Sequence, residues 1–158
     1  MNGLQPRGFT WIISGRLAVC ERVGGYGFQH RRVRREEEIA WLGHAGITAV
    51  VSLLEGNQNL SAYRLAGMEA FHAPLTDTDT GTVARVFRVL HSILRNPSAV
   101  LLVHRDTIDD QVAGLLAGYL VYSGLVEDPI VATAAIQEIL RRPLGPEARA
   151  MIPETTGA

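Results

Sequence analysis

Two apolar runs of strand length, Ile47 to Leu54 (I-T-A-V-V-S-L-L) and Ala99 to Val103, constrain this chain more than any other feature. A strand with one wet face alternates polar and apolar residues. A run without alternation is expected where both faces are covered, as in a parallel sheet. Segments of helical period separate and follow these runs. The expected class is therefore α/β, with a central, mostly parallel sheet flanked by helices.

The remaining elements read in order. Phe9 to Ile13 and Leu17 to Cys20 are short β-prone runs broken by Ser14-Gly15, and V-G-G-Y-G-F-Q-H after them is a glycine-rich loop without a dinucleotide fingerprint. Arg31, Arg32, Arg34 and Arg35 precede Glu36, Glu37 and Glu38 on a helix closed by Ala45-Gly46, and pairs such as Arg34 with Glu38 predict a solvated charged face. Asn57 to Gly67 reads as a short helix and Met68 to Leu75 as a strand. Thr80 or Thr82 is expected to cap a helix running to Asn96-Pro97, with Val83, Val86, Phe87 and Leu90 on its apolar face. Thr107 with Asp110 imitates a capping box before a helix ended by Gly124, in which Gly114 and Gly118 would admit a close neighbour. Asp128-Pro129 opens a last amphipathic helix, with Arg141 and Arg142 at its negative end.

Composition narrows the chemistry. The chain has 158 residues, 47% of them hydrophobic, with a formal charge of −1, which fits one folded domain and points to neither nucleic acid nor a polyanion. All 15 basic residues are arginine, so Schiff-base chemistry and a P-loop lysine are excluded. Cys20 is the only cysteine, which excludes an internal disulfide and a thiolate metal cluster. His30, His44 and His91 lack ligand spacing, whereas His72 and His104 end strands beside the presumed cleft. No metal or other cofactor is expected. The longest uncharged apolar run, Val112 to Val126, is too short to span a bilayer, and the first residues do not resemble a secretory signal; a cytoplasmic protein without membrane contact is expected.

The segment Val100 to Leu116, V-L-L-V-H-R-D-T-I-D-D-Q-V-A-G-L-L, has the layout of a phosphate-binding strand, loop and helix. With W-I-I-S-G-R-L, G-I-T-A-V-V-S-L-L and F-H-A-P-L-T-D in the same order, it makes the chain resemble the dual-specificity branch of the protein tyrosine phosphatases. The resemblance spans residues 9–142, with residues 1–8 as an extension and 143–158 as a C-terminal tail that reads as a short helical turn around Glu147 to Met151 and a frayed end. It implies a thiolate that attacks phosphorus, an arginine fork that holds the transition state, and an aspartic acid that protonates the leaving oxygen. Asp77 takes the general-acid position and His104 the position before the nucleophile.

This chain departs from the family's H-C-x-x-G-x-x-R where the chemistry resides. Arg105 stands for the cysteine, Asp106 and Thr107 follow, Ile108 stands for the glycine, and Asp109, Asp110 and Gln111 complete the loop, Gln111 in place of the arginine. A second register deletes the cysteine and sets Asp110 in place of the arginine; both registers lose the two groups. A guanidinium stays protonated and does not attack phosphorus. A carboxylate about 5 Å from one negative charge costs roughly 3 kcal/mol at an effective dielectric near 20, against about 0.3 to 1 kcal/mol returned by a helix N-terminus. The expectation is a catalytically silent phosphatase-like module holding an unknown protein partner or a small anion, with Arg16 as a further candidate anion contact. The other reading keeps a hydrolase in which Asp77, Asp79, Asp106, Asp109 and Asp110 collect Mg²⁺.

Overall fold

The computed structural model describes residues 3–25, 32–56 and 59–157. The chain divides into two compact units, Met1–Pro74 with Ile93–Ile108, and Leu75–Ser92 with Asp109–Ala158.

The first unit holds a five-stranded sheet built from β1 (Thr10–Ile13), β2 (Leu17–Cys20), β3 (Ala49–Ser52), β4 (Glu69–His72) and β5 (Leu101–His104). Its order is β1-β2-β5-β3-β4. Strands β2, β5, β3 and β4 are parallel and β1 is antiparallel, so the sheet is mixed and mostly parallel, as the unalternating runs require. Every residue of β2, β3 and β5 is buried. Helices α1 (Arg32–His44) and α2 (Leu60–Leu65) flank the sheet, and Ile39, Leu42 and Tyr63 pack in one cluster with Ala18, Val50 and Leu102. Gly67, at φ +89°, ends α2 in the left-handed region that glycine tolerates.

Two expectations for this unit change. The charged run on α1 is only partly solvated: Arg32 pairs with Glu36 in the open, but Glu38 is buried, accepting from Arg34 Nε at 2.7 Å and from the Gly24 N–H at 2.9 Å. The buried carboxylate ties the glycine-rich loop to α1; Tyr26 to His30 of that loop, with Arg31, Asn57 and Gln58, lie outside the described residues. The residues before β1 pack as well, for the Leu4 N–H donates to the Glu37 carbonyl at 3.1 Å.

The second unit is helical. It contains most of α3 (Thr80–Leu94), then α4 (Asp110–Tyr122), α5 (Pro129–Leu140) and α6 (Pro146–Ala150). The start of α3 is capped by Asp79, whose carboxylate accepts from the Thr82 N–H and hydroxyl, both at 2.8 Å, so neither threonine is the cap. Likewise Asp109 caps α4 by accepting from the Val112 N–H at 2.9 Å, in place of the box expected from Thr107. Both corrections have one cause: a carboxylate accepts the same N–H bond as a hydroxyl and also complements the helix dipole. Asp128 with Pro129 opens α5 as expected.

The helical turn expected around Glu147 to Met151 is α6, and the segment around it is packed and not frayed. Leu144, Ala148 and Met151 are buried, and α6 lies on the glycine face of α4. A Cβ on Gly114 would lie 2.7 Å from Ala148 backbone, and one on Gly118 would meet Phe87 at 2.7 Å and the Met151 carbonyl at 3.0 Å. Among the described residues no helix is long and apolar enough to cross a membrane.

Candidate functional site

Parallel pairing sets the last residues of four strands on one rung. Cys20 registers with His104, His104 with Ser52, and Ser52 with His72. The carboxyl ends of neighbouring parallel strands are where open α/β sheets place their ligands, because the strand-to-helix loops gather there. Here that edge carries two histidines, a serine and the single cysteine.

Most of these groups are occupied by the fold. His104 is wholly buried, and its Nε2 lies 3.1 Å from the Tyr63 hydroxyl. Burial first, and then the charge of Arg22, push its pKa down to about 4, so it is neutral at ordinary pH. Burial raises the Tyr63 phenol far above its usual range. His72 Nε2 bonds the Leu54 carbonyl at 2.6 Å. Cys20 is fully buried, and burial, then Glu38 and Glu21, raise its thiol well above the ordinary value. A reactive cysteine needs the reverse shift.

Above the rung, a cleft of about 300 Å³ is lined by Arg22 from the loop after β2, Leu53 to Gly56 after β3, and Arg105 and Asp106 after β5. Arg22 is largely buried, pairs with the more exposed Asp106 at 3.5 Å, and donates its backbone N–H to the Asp106 carbonyl at 3.4 Å. Two guanidinium groups and the carboxylates of Glu55 and Asp106 therefore share one opening with no net charge. Arg22 and Glu55 were missed in the sequence. The available signal was position, since Arg22 comes two residues after β2 much as Arg105 follows β5.

The rest of the signature segment divides at the unit boundary. Thr107 is exposed and Ile108 half-buried at the end of the first unit. In the second unit Asp109 caps α4, and Asp110 accepts from the Gly145 N–H at 2.8 Å and the Ala148 N–H at 3.2 Å, with Arg142 at 3.8 Å. Gln111 donates to Glu147 at 3.0 Å. Asp77 is exposed and accepts from the Thr78 N–H at 2.6 Å.

Arg16 is corrected outright. It precedes β2, at the amino end of the parallel strands and away from the cleft, where its guanidinium donates to the carbonyls of Leu94, Asn96, Pro97 and Ala99 at 2.5 to 3.1 Å. Sequence order places it near a strand, and only the direction of that strand shows which end.

No protein-family model and no curated protein matches the chain. Solved structures do. Kinase associated phosphatase, with its catalytic cysteine replaced by serine, is similar at a TM-score of 0.71 and 17% identity, over 92% of each chain. Tk-PTP in its active form is similar at 0.69 and 17% identity, over 90% of this chain and 91% of that one. TpbA of P. aeruginosa, solved in complex with pTyr, gives 0.64 and 18% identity, over 87% of this chain and 78% of that one. At such identities the likeness is one of architecture: this chain has the fold of the dual-specificity and protein tyrosine phosphatases.

Proposed function

We propose that this protein is a phosphatase-fold binding module without thiolate chemistry, and that the cleft at the ends of β2, β3 and β5 holds a segment of a protein partner. The observation that carries the reading is Arg105 directly after His104, where the family resemblance expects the nucleophilic cysteine. Cys20 does not substitute for it, because its sulfur is buried and its thiolate disfavoured. Equal numbers of arginines and carboxylates line the cleft, which favours a peptide segment carrying both charges over free phosphate. Asp77 stays in the general-acid position of the resemblance, with no partner step for it to complete.

The carboxylate alternative has no favouring geometry. The Asp79, Asp109 and Asp110 carboxylates already accept backbone N–H groups at helix starts and at α6. Among the described residues no three His, Cys, Asp or Glu groups converge as metal ligands.

The test is hydrolysis of an aryl phosphate and of a phosphotyrosine peptide, with and without Mg²⁺. The expected result is no release above buffer. Turnover at ordinary phosphatase rates without added cation overturns the proposal, and Mg²⁺-dependent turnover lost in Asp110→Asn replaces it with the metal reading. Calorimetric titration with phosphate, vanadate and phosphotyrosine is expected to be flat; heats abolished by Arg22→Ala and by Arg105→Ala would make the ligand a small anion.

A further inference from the structure

The contact between Arg22 and Asp106 closes the cleft from within. Arg22 lies just past the end of β2 with 17% of its side chain exposed, whereas Asp106, just past the end of β5, has 53% of its side chain exposed. One partner is held by the fold, and the other can turn to water. The backbone sets them side by side, for the Arg22 N–H donates to the Asp106 carbonyl at 3.4 Å.

A cation withdrawn from water needs a carboxylate and well-formed hydrogen bonds in exchange. Asp106 supplies only the charge. Its carboxylate oxygen is 3.5 Å from Arg22 Nη1, past the roughly 3.2 Å within which N–H···O bonds are usually found. The Arg22 Nε is buried with no hydrogen bond among the described residues. Where this unit builds a close pair it does so at shorter range: Arg34 Nε meets the buried Glu38 carboxylate at 2.7 Å.

We infer, on the binding role proposed for the cleft, that Asp106 is a latch on Arg22, standing where an acidic side chain of the partner segment docks, and that the segment binds by displacing it. An incoming carboxylate can take the guanidinium as a fork, with two parallel N–H···O bonds in place of one long contact. The exchange keeps Arg22 paired throughout. Asp106 moves into water at small cost, because exposed ion pairs contribute little. A phosphate dianion is the poorer occupant, since Glu55 stays in the same opening and repels two charges more than one.

Calorimetric titration of the full chain with a blocked triglutamate tests the latch by a gain of binding. Asp106→Ala, at an exposed side chain, is expected to bind about tenfold more tightly than the wild type, because a competing charge has left Arg22. Arg22→Gln in the Asp106→Ala background is expected to remove that gain, and the guanidinium resonances of Arg22 are expected to shift as Asp106→Ala is titrated. Glu55→Gln takes the same charge from the cleft and leaves the Arg22 pair in place, so its gain is expected to stay below about threefold. No gain in Asp106→Ala, an equal gain in Glu55→Gln, or binding indifferent to Arg22→Gln each overturns the latch. A phosphotyrosine peptide bound more tightly than triglutamate by Asp106→Ala overturns the carboxylate assignment. Thermal melts establish which variants are folded; should the Arg22 variant unfold, unmoved Arg22 resonances in Asp106→Ala overturn the latch by themselves. Phosphatase turnover by the wild type sinks the binding role itself, whereas flat titrations without turnover sink only the latch.

Discussion

The Tyr63 hydroxyl and His104 Nε2 lie 3.1 Å apart with both side chains wholly buried, one from α2 and the other from the last position of β5. Each group is neutral because burial disfavours both the imidazolium and the phenolate. Their bond fixes the end of β5 from which the signature loop departs. Tyr63→Phe removes this partner from a wholly buried imidazole, and a loss of about 1 to 3 kcal/mol in urea unfolding is expected.

The same histidine makes stability depend on pH with a definite sign. Its pKa is about 4 in the fold and near 6.5 when unfolded, so the unfolded chain binds the extra proton first. The contribution is complete above about pH 6.5 and is lost as pH falls towards 4, by roughly 3 kcal/mol in all. Denaturant midpoints measured between these limits should fall steadily in the wild type, and His104→Asn should lessen the slope; an unchanged slope would assign it to other groups.

Asp110 joins the start of α4 to α6 by two backbone N–H groups. Asp110→Ala strips both of their acceptor, and about 1 to 3 kcal/mol is expected to be lost. Amide exchange should accelerate first at Gly145 to Met151. Uniform acceleration across the chain would show that α6 is not held by this carboxylate.

Gly114 allows α6 to approach α4 at backbone distance. In Gly114→Ala the new methyl meets the Ala148 Cα and carbonyl at 2.7 Å, and backbone does not give way as a side chain does. The clash is expected to outweigh the gain in helix propensity and to lower stability by about 1 to 3 kcal/mol, read as a fall in melting temperature. A rise would mean that α6 moves freely.

Arg16 gathers four carbonyls at the end of α3 and the turn into β5. Arg16→Ala is expected to destabilise by about 1 to 3 kcal/mol, because charge-assisted bonds to carbonyls are lost together. Ligand binding at the opposite strand end should not change, which calorimetry on the variant checks.

What the sequence by itself determined was local. Unalternating apolar runs gave β3 and β5 their buried, parallel character, helical periods marked α1, α3, α4 and α5, and the substitutions at Arg105 and Gln111 were visible letter by letter. Periodicity reports which face of an element is buried and not what lies across from it. Tertiary structure alone decided that Cys20, His104, Ser52 and His72 share a rung, that Arg22 and Glu55 join Arg105 in one cleft, and that Arg16 serves the far end. It also decided that Asp110 spends its carboxylate on α6, which reads in the sequence only as a short helical turn. Register, strand direction and long-range hydrogen bonds depend on residues dozens of positions apart, and no local pattern encodes them.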